Sequence, residues 1–324
     1  MADPFTVSVV TPCLNPGKHL AATIQSVLSQ DYPHIEYLVM DAGSTDGTPD
    51  LLRSFGQRVR WISEPDRGQA DAINKGFSRT GGEVLAWLNA DDTYAPGAIR
   101  AAAEYLAEHP EADMVYGNAD FIDGEGNLIG RCAHVEPFNR NRLIHYSDFI
   151  VQPAAFFRRS AFEAVGGVDA SLHWAMDYDL WLKLAERHTI RYLPRVLANY
   201  RWLGASKTAS GGWKRLDEIR AVLRHHGAAA SAYVRLECVN AFMQEAVEAI
   251  KAADVLRAVE RTGRAAVALL VSPRAIASLF SLHTWRIIYM GQVLRKRGEK
   301  GSKFRVQENA NDQARTSSDP SKLE

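Results

Sequence analysis

Short apolar runs alternate with helix-spaced apolar positions through the first hundred residues, and each run breaks off into polar loop chemistry. Thr6–Thr11 (TVSVVT) is a β-branched run stopped by Pro12, the pattern of a buried strand. Leu20, Ile24, Val27 and Leu28 then recur at helical spacing within Lys18–Gln30. Ile35–Met40, Val59–Ser63 and the apolar run Val84–Leu88 read as further strands, with helices expected from Pro49 to about Phe55 and over Gln69–Ser78. Thr48 before Pro49 has the form of an N-cap followed by a first helical position. Four strand–helix alternations predict an α/β fold with a mainly parallel sheet, right-handed crossovers and helices on both faces.

That arrangement has a chemical consequence. All four strand ends fall on one edge of the sheet, where open α/β folds bind ligands. The residues gathered there are Thr11, Pro12 and Asn15, the loop Asp41–Asp46 with Ser44, the loop Glu64–Arg67 with Asp66, and Asn89–Asp92. The stretch EVLAWLNADD is the sharpest of these, because a buried strand runs straight into two adjacent carboxylates, Asp91 and Asp92. Two carboxylates about 4 Å apart repel by roughly 4 kcal/mol at an effective dielectric near 20, so a cation or hydrogen-bond donor should offset them. A divalent metal bound with a phosphate would do so. A turn capping the helix after Pro96 is the plainer reading of the same pair.

Beyond a helix expected over Pro96–Glu108 the pattern changes. Strand-like pieces at Met114–Tyr116, Asp120–Ile122, Leu128–Arg131 and Ala155–Arg158 alternate with Gly, Asn and Pro, which predicts a mixed, irregular second half. Ser160 and Glu163 have capping-box spacing ahead of Gly166-Gly167. Leu180, Trp181 and Leu184 mark a packed helix face, which puts Asp177 and Asp179 on its first turn, where the helix dipole favours negative charge. Strand-like residues follow over Ile190–Tyr200. Trp213 to about Arg261 is Ala-rich, free of proline and expected to be helical throughout. A second helical block, Pro273–Arg297, carries Ile276, Leu279, Phe280, Ile287, Met290 and Leu294 on one stripe and ends in Arg295-Lys296-Arg297. Residues 273–305 can dock on the catalytic domain or a second subunit, making a homo-oligomer, or lie on a membrane surface as a basic amphipathic segment. Residues 299–324 are polar and expected to be disordered.

Composition narrows the partners. Lys plus Arg and Asp plus Glu are 38 each in 324 residues, so no global field points to nucleic acid. The three cysteines, Cys13, Cys132 and Cys238, have no metal-type spacing, and their odd number suits free thiols in a reducing compartment. The N-terminus lacks a basic region followed by an apolar one, and no apolar run reaches the ~18 residues of a membrane span. The expected place is the cytoplasm, with the inner face of the membrane open to it.

Five loop motifs in order make a recognisable set: SVVTP with Asn15, DAGSTDGT (41–48), SEPDRG (63–68), NADD (89–92) and MDYDLW (176–181). Together they resemble glycosyltransferase family 2 over roughly Thr6–Ser206. The resemblance implies a GT-A (Rossmann-like) fold, a nucleotide-sugar donor, a sugar or lipid-linked acceptor, and inversion at the anomeric carbon. It implies a catalytic domain over 1–207, with a nucleotide-binding half at 6–112 and an acceptor half at 113–207, ahead of a helical region at 208–298. Carried over residue by residue, Thr11, Asp41 and Asp66 would hold the nucleoside, with Pro12, Asn15, Ser44 and Arg67 in the same loops. Asp91 would face the ribose or donor sugar and Asp92 a Mn²⁺ or Mg²⁺ ion. Adjacent side chains on an extended segment point apart, which lets the two acids serve different partners. Asp177 matches the catalytic base. Where relatives often carry Tyr-Arg-x-His, this chain has Tyr200-Arg201-Trp202-Leu203, so Arg201 or Lys207 is expected to bring positive charge to the diphosphate. A nucleotidyltransferase would want a Gly-rich basic loop after the first strand, which residues 12–18 match poorly. A nucleotide-sugar binder without catalysis is the remaining alternative, and Asp177→Asn separates it from an enzyme.

Overall fold

The computed structural model describes residues 5–132, 134–203, 211–228 and 231–270. Lys207 and the segments 273–305 and 299–324 lie outside the described residues.

A nine-stranded mixed sheet forms the centre. Strands β1 (Val7–Cys13), β2 (Ile35–Asp41), β3 (Arg60–Ser63) and β4 (Val84–Trp87) are parallel and lie in the order β3-β2-β1-β4. Cys13 pairs with Asp41 and Asp41 with Ser63, so the strand ends line up on one edge as the alternation predicts. Every residue of β1 is buried, because helices cover both faces: Val7 and Val9 join one apolar layer and Val10 the other. Fully burying each such side chain contributes about 1.5–3 kcal/mol. The crossovers carry α1 (Leu20–Leu28), α2 (Thr48–Ser54) and α3 (Gln69–Ser78). Helix α3 lies close on the sheet because Gly76 leaves room for it; a Cβ there would sit 2.5 Å from a Val10 methyl.

After α4 (Ala98–Glu108) the sheet continues from β4 through β8 (Ala155–Arg158), β6 (Met114–Ile122) and β9 (Ile190–Arg201) to β5 (Thr93–Tyr94), with β7 (Leu128–Arg131) paired to β6. The two pieces expected at 114–116 and 120–122 are one strand. Gly117 does not end it; it lets β9 press in, since a Cβ there would lie 2.6 Å from the Arg195 carbonyl, and the register shifts at that point. Two capping expectations also change. Helix α2 is capped by Gly47, with the Asp46 carboxylate accepting the Thr48 N–H at 2.9 Å. After α5 (Arg140–His145), helix α6 (Arg159–Ala164) begins ahead of Ser160 and has no side-chain cap.

Helix α7 (Met176–Arg187) carries Asp177 and Asp179 on its first turn, as its spacing predicts. The region expected to be helical throughout is three helices: α8 (Gly212–His225), α9 (Ala232–Lys251) and α10 (Val255–Leu270). Left-handed residues break it without proline, Gly227 at φ +71° and Ala253 at φ +57°. Leu216, Ile219 and Leu223 of α8 and Tyr233 of α9 share one apolar cluster with Phe149, Tyr178 and Trp181. The core therefore runs on past residue 207, where a domain boundary was expected. No helix among the described residues is long and apolar enough to cross a membrane.

Candidate active site

The edge formed by β1–β4 is tied together by its own side chains. Asp41, 1% exposed, accepts the Ser44 N–H at 3.1 Å and the Ser63 hydroxyl at 2.6 Å. Asn15 adopts φ +47°; its amide oxygen accepts from the Thr45 and Asp46 N–H groups, and its own N–H donates to the Ser44 hydroxyl at 2.8 Å. Thr11 is buried against the Tyr37 hydroxyl at 3.1 Å, and Pro12 is buried beside it. Asp66 accepts the Gly68 N–H at 2.8 Å, and exposed Arg67 pairs with Asp71 at 2.9 Å. That pairing holds the Asp71 carboxyl well below the usual carboxylate range. Of the residues expected at the nucleoside, Asn15, Asp66 and Arg67 are therefore accessible, while Thr11, Pro12 and Asp41 shape the loops from beneath.

The two acids after β4 differ sharply. Asp92 is 1% exposed and both its oxygens are occupied, one by the Arg201 N–H at 2.9 Å and the other by the Asn89 amide at 3.2 Å. Burial, and then the neighbouring Asp91 charge, push its carboxyl well above the usual range. Asp91 is partly exposed, and its carboxylate accepts from no other side chain among the described residues. Burial raises it too, opposed by the fields of His19 and Arg201. The expectation that Arg201 reaches a diphosphate meets a different geometry. Its side chain is buried and donates to the Asp91 carbonyl at 2.7 Å and the Asp123 carbonyl at 2.7 Å, which fixes the acid pair in place.

Asn89 links this edge to a cavity on the other side of the sheet end. Its amide donates to Gln152 at 3.0 Å, and Gln152 in turn donates to the Trp87 carbonyl at 2.8 Å. Gln152 also lines a cavity of about 200 Å³ with Asp148, Trp174, Asp177, Trp202 and Arg215. Asp177 is partly exposed there and accepts the Tyr178 N–H at 2.8 Å. The cap residue of α7, Ala175, offers no side chain to the free N–H groups of the helix. Glu218 of α8 ties down the segment that leads into the helix, accepting from the N–H groups of His173, Trp174 and Ala175 at 2.5–3.0 Å. Asp179 faces away into an ion-pair cluster, with Lys183 at 2.7 Å and His226 at 3.1 Å, which is the structural role its position suggests. Arg215 meets Glu237 of α9 at 3.2 Å.

His19, Asp148, Arg215 and Glu218 had no motif to announce them. His19 belongs to a single 3-10 turn, and Arg215 and Glu218 flank the apolar stripe of an ordinary amphipathic helix, so only their contacts across the fold reveal them.

A model described as glycosyl transferase family 2 matches residues 8–166. A PGL/p-HBAD biosynthesis glycosyltransferase of Mycobacterium bovis is 30% identical over 211 residues, covering 63% of this chain and 79% of that protein. The chain belongs to glycosyltransferase family 2. An uncharacterised glycosyltransferase of Rickettsia conorii is 29% identical over 210 residues, 60% of this chain and 34% of that protein, so the chain spans about a third of this relative. Among solved structures, a mannosyltransferase from Pyrobaculum calidifontis, in complex with GDP-Man and Mn²⁺, superposes with a TM-score of 0.55 at 20% identity. The superposition covers 92% of this chain and 84% of that one, a likeness of fold. The chain thus has the α/β sheet and helical C-terminal segment of a GT-A-type glycosyltransferase family 2 protein. The family match stops at residue 166, short of Asp177, so the acceptor side stands on the geometry described above.

Proposed function

We propose that this protein moves a sugar from a nucleoside-diphosphate sugar to an acceptor hydroxyl, with inversion, in the assembly of a polysaccharide or glycolipid. One observation carries the reading: Gln152 bonds Asn89 beside the acid pair and also lines the cavity that holds Asp177. A donor at the sheet edge and an acceptor in the cavity would then meet across one side chain. Asp177 accepts the proton of the acceptor hydroxyl as that oxygen attacks the anomeric carbon from the face opposite the diphosphate. Asn15, Asp66 and Arg67 offer accessible polar groups to the nucleoside, while Thr11, Pro12, Asp41 and Ser44 hold the loops that present them.

The residues fit a divalent metal of the kind carried in with a diphosphate. Asp91 is the receptive carboxylate: partly exposed, raised by burial and without another donor side chain among the described residues. Mg²⁺ sites commonly use one or two carboxylates and complete the shell with phosphate oxygens and water. The described residues contain no group of three ligating side chains, which suits a site the donor helps to build. We therefore give the metal contact to Asp91, and to Asp92 the task of anchoring Arg201 behind it. When bound, Mn²⁺ or Mg²⁺ would offset the charge that grows on the departing diphosphate. The GDP-Man and Mn²⁺ held by the Pyrobaculum calidifontis mannosyltransferase support this chemistry.

A thermal-shift screen of nucleoside diphosphates and their sugars, with and without Mn²⁺, tests the proposal. The true donor should raise the melting temperature by mass action and release its nucleoside diphosphate on turnover. If no donor does either, the reading fails.

A further inference from the structure

We infer that the cavity beside Asp177 is an acceptor subsite for an uncharged sugar ring, and that it turns away acceptors bearing a phosphate or carboxylate near the attacked hydroxyl. This rests on the glycosyltransferase reading above and adds the substrate class it leaves open.

The walls are aromatic and held from behind. Phe121 meets Tyr200 and Trp202 edge-on, with ring centroids 5.8 and 5.7 Å away, and is itself buried. Both of its partners line the cavity and keep part of their surface exposed. Trp174 is likewise partly exposed, and its indole is backed by Gly211, where a Cβ would lie 2.9 Å from the ring. Partly exposed aromatic rings held from behind suit the C–H faces of a pyranose.

The charges argue in the same direction. Arg215 is the only lysine or arginine among the described residues that line the cavity. Its guanidinium is already matched by Glu237 at 3.2 Å and lies in the field of Asp177. An acceptor phosphate or carboxylate would have to compete with Glu237 while sitting beside Asp177, and like charges brought together in a partly buried site cost binding. Asp148 adds no cation. Burial and the charge on Asp177 push its carboxyl well above the usual range, so a further negative charge brought in beside the pair is disfavoured. The cavity thus sets two acids, Asp148 and Asp177, an arginine already matched by Glu237, His134 and aromatic rings around one space, a set that suits hydroxyl groups better than anions.

The test uses the full chain with Mn²⁺ and the donor found by thermal shift. Its probes are p-nitrophenyl glucoside, galactoside and mannoside, each with its uronide and its 6-phosphate. Turnover gives kcat/KM, and ligand-observed NMR with the nucleoside diphosphate bound gives dissociation constants for probes that do not react. Neutral glycosides should be favoured about tenfold or more over their anionic counterparts. Glu237→Gln, which frees Arg215, should shrink that gap at least threefold or so. Trp174→Ala should weaken the neutral glycosides while leaving donor affinity unchanged, and Trp174→Phe should restore much of the loss. Anionic probes that match or exceed the neutral ones overturn the inference, as does a panel in which no neutral glycoside binds. If Glu237→Gln does not fold, the wild-type panel and the Trp174 pair still decide. Absence of donor binding and turnover would instead sink the glycosyltransferase reading, so the two failures are distinguishable.

Discussion

At the sheet edge, polar side chains find their partners within neighbouring loops. Asn15 holds Thr45 and Asp46, Asp41 holds Ser44 and Ser63, and Asp66 holds Gly68 two residues on. Across Gln152 the acceptor cavity is assembled from afar: Asp148 follows α5, Asp177 opens α7, and Arg215 and Glu218 come from α8. Glu218 reaches back over 44 residues to the Trp174 N–H. The donor edge is thus organised by a sheet that needs nothing from the C-terminal helices, whereas the geometry of Asp177 depends on them. The C-terminal helices, which the sequence alone set apart from the catalytic domain, form one wall of its cavity.

The largest effect should come from the cavity side and leave the edge untouched. Asp177→Asn removes the base but keeps size and hydrogen bonding. Its kcat should fall by about 10²–10⁴-fold, the usual contribution of general-base catalysis. Donor affinity, measured by titration calorimetry, should be unchanged. If transfer survives, Asp177 is not the base, and the two sides do not divide their work as described.

Next in size is a contrast within the edge. Asp91→Asn should weaken Mn²⁺-dependent donor binding by about tenfold or more, since hydrogen bonds and contacts to charged groups are each worth roughly 1.5–3 kcal/mol. Asp92→Asn should leave the Mn²⁺ dependence in place, because Asp92 is buried and already occupied by Arg201 and Asn89. Stripping the metal with EDTA should mimic the first variant. Loss of the Mn²⁺ response in Asp92→Asn with the response kept in Asp91→Asn would return the metal to Asp92.

These outcomes bear on what the residues could disclose beforehand. The edge was legible because its chemistry is local: β-branched runs such as TVSVVT end in loops whose partners lie within one or two strands. The orientation of the two acids inside NADD was not. Which of two adjacent acids turns inward depends on Arg201, whose N–H reaches Asp92 across 109 positions. Helical periodicity placed Asp177 and Asp179 on one turn, and only the bonds of Asp179 to Lys183 and His226 set the two apart. It could not show Asp148, because a single acid between Ser147 and Phe149 has no pattern until Asp177 is brought beside it. Gly117 shows the same limit from the other direction. It reads as a break, yet here it admits a neighbouring backbone.

Dependence of the cavity on α8 can be sharpened with Glu218→Gln. The amide keeps the volume but loses the charge that three N–H groups share. A loss of about 1–2 kcal/mol in stability is expected from weakening charge-assisted bonds, with kcat down about tenfold as the first turn of α7 loosens. Donor affinity should hold. An unchanged kcat at a temperature where the variant is folded would mean that Asp177 is positioned by α7 alone.

The smallest effect concerns the other contact between these helices, where pH is the probe. His226 at the end of α8 bonds Glu186 at 2.7 Å and Asp179 at 3.1 Å. Burial works to lower its pKa, but the two carboxylates outweigh burial and raise it. Asp179 is shifted the other way: burial would raise it, and His226 and Lys183 bring it below its usual value. For a histidine raised by folding, the stabilisation is complete below its unfolded pKa, about 6.5, and is lost as pH climbs through the higher folded value. For an acid lowered by folding, it is present above about 3.9 and lost as pH falls through the lower folded value. The contact is therefore at full strength from about pH 3.9 to 6.5 and weakens on the alkaline side. Wild type should melt about 1–3 °C lower at pH 8.5 than at pH 6, relative to His226→Gln measured at the same two values. Parallel melting curves for the two proteins would show that the imidazole is not charged in the folded chain. The α7–α8 contact would then rest on Glu218 and apolar packing alone.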